Sequence, residues 1–148
     1  TLDFSFFDTV FTNYAMIAEE SEKGFTAQNQ VGRSIQTDKT LLKQLMTILF
    51  DNAIKYTEDD GQVTFTVRTN DRHLYITVAD NGPGIADEDK KKIFDRFYRV
   101  DKARTRQKGG FGLGLSLAQQ IVLALKGTII VKDNQPKGTI FEVKITGA

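Results

Sequence analysis

The sequence predicts an α/β fold of the α+β kind, a two-layer sandwich in which a mixed, mostly antiparallel sheet is covered on one face by three helices. Segments with apolar residues at helical spacing alternate along the chain with segments in which apolar and polar residues alternate. Each such helix or strand has one apolar side, and packing them together buries both. With 148 residues and 40% hydrophobic content, the chain suits a single domain, residues 1–148.

Two amphipathic helices are predicted in the first part of the chain. Residues 6–22 place apolar side chains at spacings of three and four, which predicts a helix that ends near Gly24. A second helix is predicted from a cap at Thr37 or Asp38 to about Tyr56. Short extended segments are expected between the two helices, at residues 24–27 and 34–36.

Four strands are predicted as two hairpins. Residues 62–69 and 73–80 alternate apolar and polar side chains on either side of an Asn-Asp turn. Residues 128–133 and 138–145 flank the turn sequence NQPKG, whose proline and glycine suit a tight change of direction. Hairpins of this kind predict a sheet that is mostly antiparallel.

The segment between the two hairpins is rich in loops. A short helical piece is expected near residues 87–97, and a third helix from about Leu113 to Leu125, which Gly127 ends. A loop of more than about 12 residues without structure of its own is a lid, a binding loop or disordered. The positive charge of this one suits a polyphosphate, or merely keeps the loop solvated; its basic residues are Arg96, Arg99, Lys102, Arg104, Arg106 and Lys108.

Composition narrows the classes of function. The formal net charge is +1, so no overall field would recruit nucleic acid or an anionic membrane, and we expect neither contact from this domain. The absence of cysteine excludes disulfide and thiolate chemistry. No apolar run reaches the roughly 18 residues of a membrane span. The chain does not begin with Met, so a longer parent protein with a membrane attachment stays open.

Polar side chains interrupt the second helix near its end, in the stretch FDNAIKYT. Asn52 and Tyr56 are four residues apart and Lys55 lies beside them, so the three can converge on one side of the helix. An amide oxygen can ligate a hard cation, an ammonium can meet a phosphate, and a phenol offers an aromatic face. The stretch alone is also compatible with a surface asparagine beside a lysine whose stem covers apolar surface.

Two glycine-containing motifs follow. In DNGPGI, Asp80 ends a strand as a pure acceptor for an amine such as that of adenine, and Gly82 and Gly84 permit close approach to a flat ring, although a plain hairpin exit has the same composition. In KGGFGLGLS, glycines precede a helix start, where free amides suit phosphate oxygens. A glycine hinge is the alternative. This motif lacks the Gly-Lys-Ser or Gly-Lys-Thr of a Walker loop.

The order of these motifs, NAIKYT, DNGPGI, FDRFYR, GGFGLGLS and GTIFEV, resembles the catalytic and ATP-binding domain of bacterial sensor histidine kinases. That family belongs to the superfamily of gyrase, mismatch-repair and chaperone ATPases. The resemblance covers about residues 1–145. It implies the Bergerat fold, with ATP and Mg²⁺ held under a lid at about residues 94–112.

The resemblance also implies roles for individual residues. Asn52 is similar to the asparagine that holds magnesium, Lys55 to the basic residue that contacts phosphate, and Tyr56 to the ring beside adenine. Asp80 is similar to the acceptor of the adenine amine, and Arg99 to a catalytic phosphate contact. The other residues that the resemblance assigns to the nucleotide site are Gly82, Gly84, Ile85, Gly110, Phe111, Gly112, Leu113, Gly114, Leu115 and Thr139, with Phe94 and Phe97 as an aromatic box.

Two positions depart from the family pattern. Ile48 stands where many of these kinases have an asparagine and gyrase-like ATPases have a general-base glutamate. An aliphatic side chain neither ligates magnesium nor activates water, which favours phosphoryl transfer over hydrolysis. Phe111 stands where a serine or threonine is frequent, and we expect it to have a modest effect on ATP affinity.

The phosphate acceptor is expected outside this sequence. His73, which begins a strand beside a turn, lacks the helical acidic context of the family's acceptor, and we interpret it as hairpin surface. The resemblance therefore implies upstream dimerisation and acceptor helices in a longer kinase, and a response regulator as the partner of that kinase. It also implies a cytoplasmic domain whose parent is anchored in the plasma membrane.

Three alternatives to histidine kinase activity stay open. The first is an ATPase of the gyrase or chaperone type, which the lack of a base at Ile48 disfavours. The second is a nucleotide-responsive binding module, and the third is a serine-kinase regulator of transcription factors, which the glycine motif fits less well.

Overall fold

The computed structural model describes residues 1–57, 60–95 and 114–147. Its helices are α1 (Phe4–Glu20), α2 (Lys39–Tyr56), α3 (Asp87–Lys90) and α4 (Gly114–Ala124). Its strands are β1 (Gly24–Gln30), β2 (Gln62–Asn70), β3 (His73–Asp80), β4 (Gly127–Asp133) and β5 (Thr139–Thr146).

The five strands form one mixed sheet in the order β1-β2-β3-β5-β4. Strand β1 runs parallel to β2, with Gly24 opposite Gln62, and the other three pairs are antiparallel. A parallel pair needs a crossover connection, which α2 provides. The predicted mixed, mostly antiparallel sheet and both hairpins are confirmed.

The first helix and the first strand differ from prediction at one boundary. Helix α1 ends at Glu20, and the chain turns through Glu22, which has a φ of 59°. Gly24 does not end the helix but begins β1, where its amide donates to the Gly61 carbonyl at 2.8 Å. The strand is also longer than predicted because it has a parallel partner, which hydrophobic periodicity does not reveal.

Helix α2 is fixed at both ends. Asp38 caps its first turn by accepting from the Leu41 amide at 2.9 Å, which confirms one of the two predicted caps. At the other end, the Lys23 ammonium donates to the carbonyls of Ile54 and Thr57, where a positive charge is favourable next to the helix dipole. The part of α2 that carries Asn52 is therefore held against the α1–β1 turn.

One core lies between the helices and the sheet. Helices α1, α2 and α4 bury their apolar sides against one face of the sheet, as predicted. The opposite face of β2 carries Thr64, Thr66 and Arg68, which are half-buried or exposed. No helix in the described ranges is long and apolar enough to span a membrane.

An aromatic cluster joins α1, α2 and the sheet. The rings of Tyr14 and Phe50 stack with centroids 4.2 Å apart, and Phe11 meets Phe65 at 5.4 Å. The Tyr14 hydroxyl is 2.9 Å from the Thr47 hydroxyl. Burial raises the pKa of Tyr14 to about 12, so the phenol stays neutral and can keep its hydrogen bond at any physiological pH.

Replacing Phe50 by alanine tests this cluster. Phe50 is fully buried, so we expect Phe50→Ala to lower the free energy of unfolding by about 3–5 kcal/mol through the lost contacts and the cavity. Urea denaturation measures the change. Met16 on α1 is 59% exposed, and Met16→Ala should change the same quantity by less than about 0.5 kcal/mol. Equal effects of the two substitutions would contradict this account of the core.

Candidate functional site

The candidate site lies where the end of β3 meets the start of β5 and the end of α2. Asp80 is the last residue of β3, and Thr139 is the first residue of β5. Strands β3 and β5 are antiparallel neighbours, so the end of one adjoins the start of the other. Both side chains are buried, although both are polar. A buried polar pair at the edge of a core calls for an account of its hydrogen bonds.

The Asp80 carboxylate is held by two backbone amides. Its Oδ1 accepts from the Gly82 amide at 3.0 Å and from the Thr139 amide at 3.3 Å. Both donors engage the same oxygen, so Oδ2 is available to accept a hydrogen bond from a ligand. The carboxylate is thus fixed in orientation before any ligand arrives, which is what a selective acceptor of an amine requires.

Burial raises the pKa of the Asp80 carboxyl above its usual value, and the hydrogen bonds from Gly82 and Thr139 oppose that shift. The loss of hydration therefore outweighs the two backbone donors. Because the ionised form is less favourable here than in the unfolded chain, an ionised Asp80 lowers the stability of the fold. A buried carboxylate whose ionised form lowers stability is a candidate for binding or catalysis.

Two glycines allow the site's segments to meet. Gly138 has a φ of 115°, and a Cβ there would lie 1.9 Å from the Asp80 carbonyl oxygen. A Cβ on Gly82 would lie 2.4 Å from the Tyr56 carbonyl oxygen. The close approach expected at Gly82 therefore serves, at least, the packing of the loop after β3 on the end of α2.

The site residues of α2 lie on its last two turns. Asn52 and Tyr56 are half-buried and Lys55 is exposed, so all three reach the protein surface. Of the three, Tyr56 lies next to Gly82, through its carbonyl. Burial raises the pKa of Asp51, and the charge of Lys55 opposes that shift. One turn earlier, Ile48 packs against the core, and its Cγ2 would lie 3.7 Å from a Cβ on Gly114.

The remaining described residues that the sequence assigned to the site form an apolar border. Ile85 and Leu115 are half-buried against the core. The ring of Phe94 meets that of Phe141 edge to face, with centroids 6.2 Å apart. Gly84 packs closely on Gly138, because a Cβ added to Gly84 would lie 3.3 Å from the Gly138 carbonyl oxygen.

Part of the predicted site lies outside the described residues. These predictions concern Phe97, Arg99, Gly110, Phe111, Gly112 and Leu113. Gly114 and Leu115, at the end of the same glycine motif, begin α4. The predicted start of the third helix, at about Leu113, also falls outside the described residues, and α4 is described from Gly114.

Sequence reasoning missed two asparagines near Asp80, of which Asn134 contacts Asp80 and Asn81, the next residue in the chain, bonds to the start of β2. The Asn134 amide donates to the Asp80 carbonyl at 2.8 Å, and Asn81 Oδ1 accepts from the Gln62 amide at 2.9 Å. Asn81 belongs to the DNGPGI motif, and Asn134 to the turn sequence NQPKG. Asparagine is favoured in turns because its side chain bonds to nearby backbone, a signal that does not identify a distant partner such as Asp80.

His73 has the surroundings expected of hairpin surface. It is half-buried at the start of β3, opposite Asn70 and Thr146, with its ring 6.0 Å from that of Tyr75. It lies at the end of β3 remote from Asp80. It is also on a strand, and not on a helix with acidic neighbours.

Known proteins share both the sequence and the architecture. A model of the family described as histidine kinase-, DNA gyrase B- and HSP90-like ATPase matches residues 37–147. Sensor protein CiaH of Streptococcus pneumoniae is 72% identical over 141 residues, which are 95% of this chain and 32% of that protein. Sensor histidine kinase WalK of Bacillus subtilis is 45% identical over 107 residues, 71% of this chain and 18% of that protein. The chain thus spans about a third or less of these relatives.

Solved structures agree in fold. The catalytic domain of histidine kinase ThkA has a TM-score of 0.81 at 25% identity, covering 97% of this chain and 91% of that one. Full-length ShkA, solved in complex with AMPPNP, has a TM-score of 0.80 at 26% identity, covering 98% and 30%. These likenesses confirm the resemblance drawn from the order of the motifs. The chain therefore belongs to the family of histidine kinase-, DNA gyrase B- and HSP90-like ATPase domains, as an ATP-binding catalytic domain of the histidine kinase type.

Proposed function

We propose that this chain binds Mg-ATP and donates the γ-phosphate to a histidine on a separate, upstream helical segment of a two-component sensor kinase. The observation that carries the proposal is the buried Asp80 carboxylate, oriented by the amides of Gly82 and Thr139. It supplies an acceptor for the exocyclic amine of adenine. The relative ShkA was solved with the ATP analogue AMPPNP, which supports a nucleotide as the ligand.

The base would lie between Asp80 and the apolar border. Ile85 and Tyr56 are half-buried and would offer surface for a flat ring. Thr139 would add its hydroxyl beneath the base. Gly84, Gly114 and Leu115 complete the described part of the pocket, and the remaining proposed contacts are Gly110, Phe111, Gly112 and Leu113.

Magnesium would be held by the phosphates, by water and by the Asn52 amide oxygen. The described residues contain no group of three or more His, Cys, Asp or Glu side chains that could hold a metal by themselves. A single amide oxygen fits Mg²⁺, because this ion keeps several waters and binds phosphate oxygens readily. When bound, it would neutralise charge on the phosphates.

The chain's own contribution to phosphoryl transfer would be position and positive charge. Lys55 and Arg99 would offset the charge of the transferred group. The bond between the γ-phosphorus and the bridging oxygen breaks, a bond to the acceptor nitrogen forms, and ADP leaves. The acceptor's proton passes to a base outside this chain. Ile48 is aliphatic and packs against the core, so it cannot act as a general base that activates water for hydrolysis.

The proposed partners follow because this chain would hold the nucleotide, whereas another part of the parent protein would carry the acceptor histidine. The chain would act on acceptor helices of its own parent, and the parent would pass the phosphate to a response regulator. We place the domain in the cytoplasm, on a parent anchored in the bacterial membrane. Sensor protein CiaH, of which this chain matches 32%, supports a parent with further domains.

Asp80→Asn tests the adenine contact. The asparagine Oδ1 can still accept from the Gly82 and Thr139 amides, but its Nδ2 would face the adenine amine as a second donor. We expect the affinity for Mg-AMPPNP, measured by isothermal titration, to fall about 10- to 100-fold. Asp71, in the turn at the far end of the β2–β3 hairpin, offers a matched control, and Asp71→Asn should leave affinity unchanged. Undiminished binding by Asp80→Asn would contradict the proposal.

Asp80 should affect both the stability of the ligand-free fold and the affinity for nucleotide, and these two quantities should change in opposite directions with pH. Below the usual pKa of a carboxyl, Asp80 is protonated in both the folded and unfolded chain. As the pH rises towards its raised folded pKa, the unfolded chain ionises first, so the stability of the ligand-free protein falls. Over the same range the affinity for nucleotide should rise, because the ionised carboxylate is the better acceptor.

Melting temperature and nucleotide affinity, both measured across this pH range, check the prediction. Asp80→Asn should remove both trends at once, and its ligand-free form should gain stability relative to the unmodified protein as the pH rises. A stability difference that stays constant with pH would contradict the effect of burial.

Phosphoryl transfer can be measured with radiolabelled ATP and the acceptor helices of the parent protein. We expect acid-labile label on the acceptor histidine and little free phosphate when the acceptor is omitted. Asn52→Ala should slow transfer, whereas Asn13→Ala, on the exposed side of α1, should not. Steady phosphate release without acceptor, abolished by Asn52→Ala, would indicate an ATPase. Bound ATP without phosphohistidine would indicate a binding module.

A further inference from the structure

Lys90 connects two parts of the molecule that border the candidate site. It is the last residue of α3, and its ammonium contacts Asp87 of the same helix and Asp133 Oδ1, 2.8 Å away at the end of β4. The Lys90 side chain is only 16% exposed, whereas those of Asp87 and Asp133 are 94% and 59% exposed. Hydrogen bonds to Asp133 and then Asp87 raise the pKa of Lys90, so the ammonium stays charged.

Asp133, the last residue of β4, directly precedes the turn that contacts Asp80. In the β4–β5 ladder, Asp133 lies opposite Thr139, whose amide donates to the Asp80 carboxylate. The next residue, Asn134, donates through its side chain to the Asp80 carbonyl at 2.8 Å. The backbone amide of Asn134 donates to the Gly138 carbonyl at 3.0 Å, and this bond closes the turn. Both the side chain and the main chain of Asp80 therefore depend on the position of this turn.

Helix α3 belongs to the segment that borders the other side of the site. Ile85 precedes it and is half-buried, and Ile93 follows it and is buried in the core. Phe94 meets the ring of Phe141 of β5 edge to face. Phe94 thus packs on the strand whose first residue, Thr139, holds Asp80, and Lys90 links the same segment, residues 85–94, to Asp133 just before the β4–β5 turn.

We propose that Lys90 is a positioning residue for nucleotide binding, which fixes residues 85–94 to the β4–β5 turn so that Ile85 and Asp80 keep a constant separation. The proposal rests on the nucleotide site proposed above. Lys90 itself need not touch the nucleotide. Its effect would come from the geometry of the base pocket, where small displacements of supporting groups weaken binding.

Both carboxylates that pair with Lys90 are exposed to solvent, and ion pairs with solvated partners contribute little to global stability. A structural role alone would therefore predict almost no consequence of removing it. A positioning role predicts a loss of affinity that exceeds any loss of stability, and the two quantities can be measured on the same protein.

The test compares Lys90→Met with Lys132→Met in the purified chain. Lys132 is the neighbour of Asp133 in β4 and forms an ion pair with Glu142 at 2.9 Å, so the control also removes a lysine from a surface pair. Isothermal titration with Mg-AMPPNP and with Mg-ADP measures affinity, and thermal denaturation without nucleotide measures stability. We expect Lys90→Met to bind both nucleotides about two- to fivefold more weakly than the unmodified chain does. Its melting temperature should equal that of the Lys132→Met control.

Further variants sharpen the comparison. Lys90→Arg keeps the charge and should restore affinity. Asp133→Asn should weaken binding as Lys90→Met does, and the double variant should bind no more weakly than either single one, because both remove the same link.

The outcomes that overturn the proposal are distinct from failure of the proposed function. If the unmodified chain binds neither nucleotide, the proposed function fails. If it binds and Lys90→Met binds equally well, or Lys132→Met loses as much, Lys90 is not a positioning residue. A loss confined to AMPPNP would also overturn the proposal, since Lys90 borders the base side and should affect both nucleotides equally.

Discussion

The structure of the site depends on one carboxylate oxygen, Asp80 Oδ1, and the two backbone amides that it accepts from. The Gly82 amide belongs to the loop after β3, and the Thr139 amide belongs to the first residue of β5. These bonds tie the loop after β3 and the start of β5 to the same carboxylate. Gly138 makes the arrangement possible, because any side chain there would meet the Asp80 carbonyl. Burial of the Asp80 carboxylate lowers the stability of the fold, and the two amides fix its orientation. Groups that reduce stability in this way are common at functional sites.

Much of the fold follows from sequence patterns, and the exceptions have physical causes. The hairpins, the cap at Asp38 and the apolar side of α2 follow from periodicity and from turn residues. The length of β1 does not, because its pairing with β2 is parallel and comes from distant residues. The role of Gly24 was wrong for a related reason. A glycine after a helix is a common stop, but here the chain turns earlier, at Glu22 in a left-handed conformation.

The site shows the same division. The motifs place Asp80, Asn52 and Lys55 correctly on a strand end and a helix, since each motif carries its own local signal. The supporting contacts of Asn134, Lys90 and Asp133 carry no such signal, because each partner is remote in sequence and a surface lysine or a turn asparagine is ordinary in isolation. Sequence motifs therefore identified the groups proposed to touch a ligand. The groups that hold them in place are apparent only in the three-dimensional structure.

The link between Asp80 and Thr139 spans 59 positions of the chain. Strand β5 follows the other four described strands in the sequence, yet it lies between β3 and β4 in the sheet. Contacts between such distant segments are costly in chain entropy and form late in folding. The adenine acceptor would therefore be complete only when β5 has entered the sheet. A ligand that binds only this state would stabilise the finished fold over every partly folded one, so that competence to bind becomes a sign that the whole chain has folded.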